Sequence, residues 1–191
     1  MLLCYSNVMI IKPRDIMVDL ETVATDPQAA ILTIAAIRFD NNKDYSQITD
    51  PFTLDYFYTR VDLEQPGRNV SDDTMAWWAS QAPEIREEAF GEADRFPLED
   101  AMIALSKWAS GADRYWANGS AFDFPILESA CRTYNIRWPW QFWQVRDART
   151  IYQMVPDHQM PKAAKHHALY DCLNQMIRLN DCFNKMGRWP K

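Results

Sequence analysis

The chain has 191 residues, of which 48% are hydrophobic and 24% charged, and its formal net charge is −6. Length and balance suit one globular domain with a sizeable core and no run apolar enough to span a bilayer. The acidic charge excludes a protein that coats nucleic acid through basic surface, although an acidic metal site that grips a few phosphates stays compatible with it.

The first residues, "MLLCYSNVMIIKPR", have no basic segment before their apolar part, so no signal peptide is expected and the cytoplasm is the default location. "IMVDL" reads as a buried strand and "ILTIAAIRF", residues 31 to 39, as a longer one. "DNNKD" is turn chemistry, and "FTLDYFYTRVD" makes a third strand, so the chain opens as an antiparallel meander. Ser71, followed by Asp72 and Asp73, caps a helix through "TMAWWASQ", and Pro83 starts a second in "PEIREEAF". Residues 62 to 96 thus read as a helical insertion. "PLEDAMIALSKWASG" is a helix opened by Pro97 and closed by Gly111. "DRYWANG" is a short strand, "FPILESACRTYN" a helix, and "QVRDA" a last strand. The final helix, about residues 168 to 186, carries Leu169, Cys172, Leu173, Met176, Leu179 and Phe183 at three-to-four spacing before Gly187. This order predicts an α/β layered domain with a mixed sheet. The four cysteines, Cys4, Cys131, Cys172 and Cys182, form no C-x-x-C pair and read as reduced thiols.

"DIMVDLETVA", residues 15 to 24, raises an electrostatic problem. Asp19 and Glu21 sit two apart on a strand, so both carboxylates point to one face of a segment that otherwise wants burial. Like charges held that close repel, and burying them unpaired is costly. Two further carboxylates are candidates to join them. Asp123 in "NGSAFDFPIL" follows a strand at the start of a helix, and Asp171 in "HHALYD" starts the last helix. Ligands of open sheets collect at such strand ends and helix starts. Four converging carboxylates can hold two divalent ions about 4 Å apart, the arrangement that cleaves phosphodiesters, and hard oxygen donors select Mg2+ or Mn2+ over zinc.

The ordered pattern of D-x-E on the first strand, then F-D, then H-x4-D resembles the DEDDh 3′→5′ exonuclease superfamily, which has a ribonuclease-H-like fold. "TMAWWASQAPEIR", "SAFDFPIL" and "FWQVRDART" are similar to the phage and prophage exonucleases typified by exonuclease A of the T-even phages. The resemblance runs from about residue 15 to 180. Residues 1–14 fall outside it as an N-terminal extension, leaving residues 15–187 as a single exonuclease domain. It implies a three-layer domain with helices flanking a mixed central sheet. It also implies Asp19, Glu21, Asp123 and Asp171 as ligands of two Mg2+ or Mn2+ ions, with Asp19 bridging, and His166 as the general base that deprotonates the attacking water. An imidazole near its ordinary pKa suits that work. His166 lies five residues before Asp171, matching H-x4-D; His167 lies four before it, where the sister subfamily carries a tyrosine.

The implied partner is a single-stranded nucleic acid with a free 3′ end, DNA ahead of RNA, and no membrane. An exoribonuclease on the same scaffold is the runner-up, since nothing in the sequence reads a 2′-OH recognisably. A catalytically silent nucleic-acid-binding or proofreading module is the reading from another class. The oligomeric state stays open, a homodimer included. Asn118 and Phe122, which flank the Asp123 motif, are candidate substrate-binding residues, Asn118 at the terminal nucleotide and Phe122 mainly through packing. Asp147 reads as a cap or an arginine contact. Trp77 and Trp78 cannot both face the core of one helix, because adjacent residues point about 100° apart. "RWPWQFWQVRDAR" interleaves aromatics with arginines, as a single-strand binding surface or a packed loop would.

Overall fold

The computed structural model describes residues 14–157 and 166–187. Strands β1 (Asp15–Thr22), β2 (Ile31–Phe39) and β3 (Asp55–Val61) form the expected antiparallel meander. Helices α1 (Asp72–Ala79) and α2 (Pro83–Phe90) follow, then a two-residue strand β4 (Arg95–Phe96), α3 (Leu98–Ala109) and β5 (Arg114–Ala117). The chain continues through α4 (Ser120–Thr133), β6 (Val145–Asp147), α5 (Ala148–Met154) and α6 (Ala168–Lys185). One six-stranded sheet has the order β4-β3-β2-β1-β5-β6, with β5 parallel to β1 and β6 parallel to β5. This mixed sheet with its flanking helices is the α/β layered architecture that the order of elements predicts.

Alternation along β1 sorts the two apolar layers. Ile16, Val18 and Leu20 pack with Leu105 of α3 and Leu127 of α4, whereas Met17 packs on the other face with Leu169, Cys172 and Leu173 of α6. Asp19 and Glu21 share the face of Met17, so the same alternation that buries Met17 under α6 carries both carboxylates to the α6 side at the strand's end. There the β1–β2 register shifts between Glu21 and Thr22. Such an irregularity ends pairing and re-aims side chains. Deep in the sheet, Asp15 is fully buried and accepts two bonds from Arg114, at 2.6 and 2.8 Å, and one from Trp116 Nε1 at 2.8 Å.

The insertion is tied to the body at its helices. Ser71 caps α1 by accepting from the Thr74 amide, and Pro83 opens α2, as the sequence predicts. Trp78 turns inward, is buried, and donates its indole N–H to the Thr22 carbonyl at 2.9 Å. It packs with Val23, Ala30, Leu32 and Ala89 in a small core of its own. The insertion also returns a strand to the sheet, since β4 pairs with β3 in parallel.

Helix α4 begins at Ser120, before the expected "FPIL" start, so Pro125 lies inside the helix rather than at its first turn. Gly119 precedes it with φ +112°, a conformation that disfavours any side chain, and a Cβ there would lie 3.3 Å from Arg149. Helix α5 was not foreseen, although its cap was: Asp147 accepts from the Thr150 amide. Cys131, Cys172 and Cys182 are free buried thiols; Cys4 lies outside the described residues. Among the described residues, no helix is long and apolar enough to cross a membrane.

Candidate active site

Asp19 and Glu21 stand at the C-terminal end of β1, and Asp123 and Asp171 each lie in the first turn of a helix, α4 and α6. Two helix N-termini therefore point their partial positive charge at this cluster. Asp147 fixes one of them: its carboxylate accepts from the Ser120 amide at 2.7 Å as well as from Thr150, joining the start of α4 to the start of α5. The Asp147 side chain thus acts as a double cap outside the cluster.

The four carboxylates repel one another. Desolvation pushes the Asp19 carboxyl well above its ordinary range, reinforced by Asp123, Glu21 and Asp171, while Gln175 pulls it back. Glu21 is pushed up to about 8 by burial first, then by Asp171, Asp123 and Glu88. Asp123 rises to about 7 through burial, partly offset by hydrogen bonds from its own amide and that of Leu20. Asp171 is raised by burial and lowered by the His166 backbone. Among the described residues, no lysine or arginine forms an ion pair with any of the four. Among the described residues, the positive charge of Arg149 offsets part of the rise at Asp123, and no cationic side chain pairs directly with the cluster. A set of four hard oxygen donors gathered at two helix starts fits magnesium or manganese.

The two histidines part company. One ring nitrogen of His166 lies within 4.8 Å of an oxygen of Glu21 and of Asp171, and its backbone N–H donates to Asp171 Oδ2 at 2.8 Å. His166 takes a left-handed φ of +63°, uncommon for a residue with a Cβ. His167 turns away. Its ring stacks on Tyr58 at 5.3 Å and its Nε2 lies 3.7 Å from Glu88, which also hydrogen-bonds the Tyr58 hydroxyl. A left-handed residue followed by the extended N-cap of α6 reverses the chain, so consecutive side chains diverge.

Beside Glu21 lies a cavity of about 440 Å³, walled by the end of β1 (Glu21, Thr22), by α1 (Asp73, Trp77, Trp78) and by Phe122 of α4. Phe122 thus borders the cavity while also packing on the core. Asn118 does not border it; its carbonyl accepts from Arg149 Nη2 at 3.0 Å. Gln175, one turn after Asp171 on α6, was missed: its Nε2 donates to Asp19 Oδ1 at 2.7 Å. Its i+4 spacing from Asp171 puts both on one helix face and was the available signal.

The aromatic rings of the run from Arg137 to Arg149 divide between the core and the surface. Trp140 is buried in the core and Trp138 packs against it. The exposed pair Phe142 and Trp143 precedes β6. Because β6 runs parallel to β5, its start lies at the end of the sheet opposite Asp19, Glu21 and Asp123.

The chain is 24% identical over 198 residues to the exodeoxyribonuclease of Enterobacteria phage T4, covering 86% of this chain and 87% of that relative. Its fold is similar to that of exonuclease X solved with 5′-overhanging duplex DNA, with TM-score 0.55 and 20% identity over 92% of this chain and 94% of that one. It is also similar to the nuclease domain of 3′hExo, a DEDDh family member solved with rAMP, with TM-score 0.53 and 15% identity over 91% and 92% of the two chains. Residues 14–183 match the family described as the 3′-5′ exoribonuclease Rv2179c-like domain. With that match spanning most of its length, the chain belongs to the Rv2179c-like exonuclease family.

Proposed function

We propose that this exonuclease is metal-dependent, works from a free 3′ end, and releases nucleoside 5′-monophosphates, with single-stranded DNA as the preferred substrate. The observation that carries the reading is the cluster of four carboxylates, with no lysine or arginine ion pair among the described residues, of which Glu21 borders a cavity of about 440 Å³. That volume lies in the range of about 300–1,000 Å³ usual for small-molecule sites, enough for one terminal nucleotide. A site that takes a strand end suits exonucleolytic cutting.

Asp19, Glu21, Asp123 and Asp171 would hold two Mg2+ or Mn2+ ions. Bound there, the ions supply positive charge to the attacking and leaving oxygens of the phosphodiester. His166, beside Glu21 and Asp171, accepts the proton of the attacking water. Gln175 fixes the Asp19 carboxylate, and the His166 N–H fixes that of Asp171. Trp78, through Thr22, pins the end of β1 under α1.

Similarity to a phage exodeoxyribonuclease supports DNA, while the family description supports RNA as the second reading. Matched 5′-labelled DNA and RNA strands, incubated with manganese, decide between them. A progressively shortening ladder on DNA supports the first reading, and a ladder on RNA alone the second. Immediate release of a labelled mononucleotide, or cutting of a closed circle, contradicts attack from the 3′ end.

A further inference from the structure

Building on the reading of His166 as the base, we propose that Trp77 is its positioning residue: the indole presented by α1 holds the imidazole in line with Glu21 and Asp171. Trp77 is 41% exposed while its neighbour Trp78 is 2% exposed, so α1 divides the pair between the core and the cleft. A single exposed aromatic needs no explanation by itself. This one meets His166 edge to face, with ring centres 5.0 Å apart at 82°.

The indole is itself braced. Trp78 meets Trp77 at 4.9 Å and 73°, and Phe90 meets Trp78 at 5.5 Å and 87°. Both are edge-to-face geometries within the favourable range for aromatic pairs. A chain of rings thus runs from the core beneath α2 to the imidazole. A general base is ordinarily oriented by a third group. Among the described residues, no side-chain hydrogen bond orients the His166 ring; its own tether is the backbone N–H to Asp171. That tether places the Cα and leaves the ring free to rotate. His167 is secured separately on Tyr58, so it does not set the neighbouring ring. Among the described residues, packing against Trp77 restricts the imidazole, and proton transfer needs it within about 3 Å of its target.

The test is a double-mutant cycle under single-turnover conditions at saturating manganese, on whichever of the matched labelled strands the wild type shortens. Trp77→Leu is expected to lower the rate about 10- to 100-fold with KM changed less than about threefold, the scale of a misplaced reacting group. Trp77→Phe keeps a ring edge and retains most of the rate. In a His166→Ala background, Trp77→Leu changes the rate by less than about twofold, because the residue it acts through is gone. Equal losses in both backgrounds, or a loss confined to KM, would overturn the proposal in favour of a platform for the nucleobase. If His166→Ala cleaves as fast as the wild type, the base assignment falls and the role of Trp77 falls with it. The ring protons of His166 provide a readout without turnover. Their ring-current shift shrinks in Trp77→Phe, and an unchanged shift in that variant also overturns the contact.

Discussion

Glu21→Gln tests the electrostatic account of the site most directly. In the folded chain its carboxyl is pushed from 4.5 to about 8. The folded state therefore keeps a proton that the unfolded chain releases. Stability associated with this group is complete below pH 4.5 and is lost as pH rises towards 8. At about 1.4 kcal/mol per pH unit from 4.5 upward, the loss at pH 7 is at most about 3–4 kcal/mol, an upper figure because water still reaches part of the side chain. Glutamine keeps the shape and removes the charge. In chelator at pH 7 the variant should melt higher than the wild type, by up to about 10 °C at the usual scale for a chain of this size. At pH 5 the two midpoints should nearly coincide. Manganese should reverse the order, since the wild type gains binding energy that the variant largely lacks. Scanning calorimetry at the two pH values, with chelator and with manganese, reads all of this. A variant that melts at or below the wild type in chelator at pH 7 would refute the claim that burial, reinforced by the neighbouring carboxylates, makes a charged Glu21 costly in the metal-free site.

Asp19→Asn should abolish cleavage while leaving the circular dichroism spectrum unchanged, and chelator should silence the wild type; activity in either case contradicts the metal-dependent reading. His166→Ala should lose about 10²- to 10⁴-fold in single-turnover rate. His167→Ala should instead cost about 1 kcal/mol of stability through its lost stacking on Tyr58, and a crippled His167 variant would move the base by one residue. Asp15→Ala removes the buried carboxylate that accepts from Arg114 and Trp116 and should cost about 2–3 kcal/mol in denaturant unfolding. A change under about 1 kcal/mol would mean that water replaces the carboxylate there.

Features carried by local pattern were readable before any fold was known. Alternation along β1 placed Asp19 and Glu21 on one face, and three-to-four spacing marked α6 with Asp171 in its first turn. Ser71 and Pro83 announced the starts of α1 and α2, and the carboxylate of Asp147 announced a cap. These signals depend on dihedral preference and periodicity within a few residues, which the chain carries whatever surrounds it.

Tertiary structure decided everything that depends on distant segments meeting. Gln175 reaches Asp19 across 156 positions because α6 packs on the face of β1 that carries Met17. His166 and His167 are interchangeable by composition, and the left-handed backbone at His166 sends one to the carboxylates and the other to Tyr58. Trp77 and Trp78 were known to diverge, but only the seating of α1 on Thr22 shows which enters the core. The aromatic run before β6 looked suited to nucleic acid by content, and the parallel pairing of β6 with β5 carries its exposed rings to the far end of the sheet. Sequence alone determined which residues carry the charge and which elements bear them. Their approach was set by sheet register and helix packing, because burial of the two apolar layers around β1 admits one arrangement of faces and no local preference encodes it.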